Sequence, residues 1–107
     1  MLKESALFEK REIRDKEIAE LLRVRGIEGN GIKLLLEKWT KQEERKVADT
    51  PEASIQFNLR RARVYLAAGY YVAALENFEA ARMQAWNENR TELYNHIMIE
   101  MNEIDNK

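Results

Sequence analysis

His96 is the only histidine of the chain, and Glu92 and Glu100 stand four residues to either side of it. On a helix the three share one edge, where an imidazole and two carboxylates are donor types that suit a divalent cation. One histidine is a poor set for that purpose, and a surface hydrogen-bonding trio is the simpler reading. Gln56, Arg60 and Arg63 share a helix face with Ala67. Two guanidinium groups on one face suit a carboxylate, which they grip through forked, charge-assisted hydrogen bonds. A solvated face that only supports its own helix is the plainer alternative. The stretch "GIEGNG", residues 26–31, lacks the lysine and the serine or threonine of a phosphate-binding loop and reads as a turn. With no cysteine, the sequence excludes disulfides, thiolate metal sites and thiol nucleophiles together. No catalytic residue, metal or cofactor is expected. Trp39, Trp86, Tyr94, Met98 and Met101 recur at helical spacing among apolar residues and read as core or dimer contact.

These residues need a scaffold, and composition limits its kind. The 107 residues are 45% hydrophobic and 35% charged, with one proline and four glycines, which favours a single all-α domain. The formal net charge of -1 supplies no global attraction to nucleic acid or to an anionic membrane. No apolar run approaches the length of a membrane span, and the charged amino terminus is unlike a secretory signal, so a cytoplasmic protein is expected.

Five helices are predicted. The first spans about Ala6 to Arg25, its "EKREIRDKE" centre exposed and its core face supplied by Ile18, Leu21, Leu22 and Val24. Glycines at 26, 29 and 31 end it. The second, about Ile32 to Ala48, aligns Ile32, Leu35, Leu36, Trp39 and Val47. In "DTPEA", Thr50 is an N-cap, Pro51 fits the first helical position and Glu52 meets the positive end of the dipole, which opens a third helix to about Ala68. Gly69 turns the chain into a fourth, about Tyr71 to Ala85, whose Ala74, Phe78, Ala81 and Ala85 allow close antiparallel packing. A fifth, about Glu88 to Ile104, carries Leu93, Ile97, Met101 and Ile104.

Gly69, Tyr71, Ala74, Phe78 and Ala81, with Ala62 and Tyr65 before them, resemble the glycine, aromatic and small-residue series of the tetratricopeptide repeat. The resemblance covers about Ile55 to Trp86 and departs from the family at Asn58, Arg61 and Trp86. It implies a small right-handed helical array in which 51–104 form a repeat-like helix pair with a capping helix, preceded by two helices in 1–48. It further implies a non-catalytic adaptor or chaperone-like module, with Gln56, Arg60 and Arg63 lining the groove from which such repeats hold a protein or peptide partner, here an acidic or carboxylate-bearing one. Arg61 faces elsewhere, its stem packing near Phe57 and Val64 and its head reaching for water.

Two rivals come from the residues themselves. Residues 16–46 have the outline of a helix-turn-helix, but the turn exceeds the usual three or four residues. Glu37, Glu43 and Glu44 interrupt the basic track of Lys33, Lys38, Lys41, Arg45 and Lys46, which disfavours nucleic acid. The other rival is a subunit of a homo- or hetero-oligomer, with Trp39 and Leu35 as the alternative interface.

Overall fold

A computed structural model describes residues 12–105. Those residues form five α-helices and no strand: α1 (Asp15–Arg25), α2 (Ile32–Glu44), α3 (Pro51–Ala67), α4 (Tyr71–Asn87) and α5 (Thr91–Asp105). The fold is all-α, and the chain divides into two compact units, one ending at Lys46 and one beginning at Val47.

In the first unit the chain enters α1 later than the apolar pattern predicts. Positions 6–11 of the expected helix lie outside the described residues, and Glu12–Arg14 precede the helix, with Arg14 extended at φ -80, ψ 152. Ile13, expected in an exposed stretch, is instead 1% exposed. Leaving the helix frees its side chain from the polar face that helical phase would give it. Ile18, Leu22, Ile32 and Trp39 are buried as well, whereas Val24, assigned to the same face, is exposed. Gly26 ends α1 at φ 79, its N–H donating to the Leu22 carbonyl at 2.8 Å. Helix α2 stops four residues before the expected Ala48. The Lys46 N–H bonds back to Glu43 at 3.0 Å in a tightened turn, and Thr50 must be extended (φ -137, ψ 150) because it precedes proline.

The second unit starts as its cap predicts. Thr50 Oγ1 accepts from the Ala53 N–H at 3.1 Å, and Pro51 occupies the first helical turn. Ile55, Leu59 and Ala62 of α3, Ala74, Phe78, Ala81 and Ala85 of α4, and Ile97 and Ile104 of α5 form one buried cluster. The two turns between these helices share one construction, displaced by twenty positions. Tyr70 N–H bonds to Tyr65 O (2.9 Å) over Gly69 at φ 88, and Arg90 N–H bonds to Ala85 O (2.8 Å) over Asn89 at φ 57. Both are six-to-one closures with a left-handed residue after the helix. The second turn consumes Glu88–Arg90, so α5 begins at Thr91 and not at Glu88. Nothing lies within 4 Å of where a Cβ on Gly69 would stand, so a side chain there meets only backbone strain. Gly69→Ala is therefore expected to lower stability by about 1–2 kcal/mol, read as a shift in the urea midpoint.

Candidate functional site

The face formed by Gln56, Arg60 and Arg63 is present, but its groups are engaged. Gln56 is exposed and Arg60 half-buried. Gln56 Nε2 reaches Glu52 Oε1 at 3.4 Å, and Arg60 has partners of its own. Arg63 presents its fork to Glu100 of α5, Nε to Oε2 at 3.3 Å and Nη2 to Oε1 at 2.7 Å. The carboxylate grip expected of this arginine thus exists within the chain. Among the described residues no group of three or more histidine or acidic side chains is placed to hold a metal ion.

Beside this face lies an open groove of about 470 Å³, lined by Glu52 and Gln56 of α3, Asn89 and Arg90 of the turn, and Glu92, Leu93 and His96 of α5. An Arg90–Glu52 ion pair crosses it at one end, and Arg63–Glu100 ties α3 to α5 one helical turn beyond His96. Both pairs are solvent-exposed enough for water to compete with them. A smaller cleft of about 130 Å³ adjoins it, where Trp86 and Tyr94 meet at 5.2 Å between ring centroids, tilted by 53°. Trp86 is 63% exposed, so it is not a core residue of this unit. Arg82 lies over the Tyr94 ring at 5.4 Å and donates to its hydroxyl at 2.8 Å. Its hydrogen bond to Glu79 holds that carboxyl below the usual range and raises the guanidinium.

Two of the three departures from the repeat pattern, Asn58 and Arg61, have a structural use. Arg61 Nε donates to Asn77 Oδ1 (2.7 Å) and Nη2 to Asn58 Oδ1 (3.0 Å), while Asn58 donates to Gln84 (2.6 Å) and Gln84 to Ser54 (2.8 Å). As residue number rises on α3 it falls on α4, which makes the pair antiparallel. The Arg61 head, expected to reach water, is held in this ladder, its guanidinium carbon over the Phe57 ring at 5.3 Å from the centroid.

In the first unit Trp39 is fully buried, its Nε1–H donating to Asp15 Oδ1 at 3.1 Å, and Leu35 is half-buried. Sequence reasoning missed the residues around it. Gln42 Oε1 accepts from the Ile13 N–H (2.8 Å) and Gln42 Nε2 donates to the Ile13 carbonyl (2.9 Å) and to Glu43 Oε2 (2.7 Å). Lys46 Nζ stands 2.8 Å from Glu12 and 3.0 Å from Glu43, which is 2% exposed. Hydrogen bonds that Lys46 donates to Glu12 and then to Glu43 raise its pKa. A raised folded-state value means that this stabilisation is present below the ordinary lysine value and lost as pH rises through the folded one. The stability gap between wild type and Lys46→Met is therefore expected to close above the lysine range, measured by urea titration at successive alkaline pH values. Long sequence separation hides the contacts to Glu12 and Ile13, since each residue is unremarkable locally. No protein-family model matches the chain, and neither a curated protein nor a solved structure matches it.

Proposed function

We propose that the chain is a non-catalytic helical interaction module of tetratricopeptide-like build, which holds a carboxylate-bearing protein segment between α3 and α5. The observation that carries this reading is the two-point grip of Arg63 on a carboxylate across those helices. Glu100 supplies that carboxylate internally, and an incoming one would take its place with the same geometry. The groove beside it, with Gln56, Arg90 and His96 on its walls, offers donors to the rest of a peptide. Helix-turn-helix binding has less support: Lys33, Lys41 and Lys46 already face Glu28, Glu37 and the pair Glu12 and Glu43, respectively.

An array of peptides with free carboxyl termini and acidic side chains, read by fluorescence anisotropy, tests the reading. Glu100→Ala removes the internal competitor of an exposed pair worth up to about 1 kcal/mol, so affinity is expected to rise by up to about fivefold. Arg63→Ala and Arg63→Lys should both weaken binding, because lysine keeps the charge but not the fork. Affinities indifferent to all three substitutions would remove Arg63 from the site. The assembly-subunit reading retains one specific support, the exposed Val72, Met83 and Trp86 along one face of α4. Light scattering across a concentration series distinguishes it.

A further inference from the structure

The contacts that α2 makes with Glu12–Asp15 have the form of a peptide in a binding site. On α2, Trp39 lies three residues before Gln42 and four before Glu43, so the three share one side of the helix, and Lys46 follows in the turn after it. Against it the chain runs antiparallel: Glu12 meets Lys46, Ile13 meets Gln42 and Asp15 meets Trp39.

Each contact reads something different. Gln42 pairs with both backbone groups of one residue, the way a neighbouring β-strand would, and this recognises extended conformation whatever the side chain. Its remaining N–H goes to Glu43, which fixes which end of the amide faces the Ile13 N–H. Ile13 is buried, which selects a branched apolar side chain. Lys46 and the Trp39 indole N–H select a carboxylate before and after it. The ion pair of Glu12 with Lys46 and the two backbone hydrogen bonds of Ile13 are made to side chains, and the Lys46–Glu12 pair is exposed at both partners, so water competes for it.

We propose that this side of α2, with Lys46 in the turn after it, is a docking surface for a partner segment of the order carboxylate, branched aliphatic, any residue, carboxylate, and that Glu12–Arg14 with Asp15 at the start of α1 fills it in cis as an exchangeable occupant. The surface is separate from the α3–α5 groove, and neither reading depends on the other.

The test uses the full chain and a capped, labelled six-residue peptide copying residues 11–16. In the double variant Glu12→Lys, Ile13→Ser the cis occupant is weakened while every α2 residue is kept. That variant is expected to bind the peptide at least tenfold more tightly than wild type does, with an unchanged helical circular dichroism spectrum, and adding Gln42→Ala should abolish the gain. Equal affinities for wild type and double variant, or a gain that survives Gln42→Ala, would overturn the proposal. A measurement on the wild type stands even where the variant fails to fold. If the segment exchanges, the Ile13 amide opens locally, and its hydrogen exchange is expected to be at least tenfold faster than that of the Trp39 amide and insensitive to low urea. Matched rates and matched urea dependence would mean that the segment leaves only when the unit unfolds, and would refute it.

Discussion

Phe78→Ala is expected to lower the stability of the second unit by about 3–5 kcal/mol, the largest effect of any single substitution there. Phe78 is fully buried in the cluster that α3, α4 and α5 share, and the buried residues one turn either side of it, Ala74 and Ala81, have no side-chain length with which to fill the vacated space. Because whole domains are stable by only about 5–15 kcal/mol, such a loss is easily read as a fall in the urea midpoint. The reciprocal change probes the same surface from the other side. Ala74→Leu or Ala81→Leu adds volume where none is available and should cost about 1–3 kcal/mol. An unaltered midpoint in the Phe78 variant would mean that these helices are not packed through this residue.

Trp39→Ala should be comparably severe in the first unit, at about 3–5 kcal/mol, because it removes a large fully buried side chain. Trp39→Phe keeps most of the volume but drops the N–H bonded to Asp15, so it is expected to cost about 1–2 kcal/mol. The ordering of the two variants separates packing from hydrogen bonding. In a Trp86→Phe background Trp39 is the remaining tryptophan, and its fluorescence should resist acrylamide quenching until the unit unfolds. Strong quenching under native conditions would contradict its burial.

What could be seen in the sequence was local. Thr50, Pro51 and Gly69 act within a few residues of themselves, and the Ala74, Phe78, Ala81 spacing marks a face whatever it packs against, so α3, α4 and the turn between them were predicted close to where they lie. The Asn89 turn was harder to place, since asparagine adopts positive φ less often than glycine and signals it more weakly. The candidate site was legible only in part. Arg63 was identified as a carboxylate grip, but its partner Glu100 is 37 positions away, and helical periodicity says nothing about which distant side chain will reach it. Ile13 was misjudged for the same reason: the side chain that holds its backbone lies 29 positions downstream.

The polar ladder between α3 and α4 adds to the alignment that the apolar contact sets. Ala74, Ala81 and Ala85 present nearly the same relief, and Phe78 among them is the large side chain that marks position along the buried face. The ladder marks further positions with groups that must be hydrogen-bonded. Sliding α3 by one turn, about 5.4 Å, towards the start of α4 would set the groups now facing Gln84 and Asn77 against Ala80 and Ala73. Asn58 and Arg61 would then lose hydrogen-bond partners in a partly buried seam, which is far less favourable than a small change in apolar area. Asn58 and Arg61, which break the repeat pattern, thus reinforce with polar contacts the alignment that Phe78 marks with an apolar one.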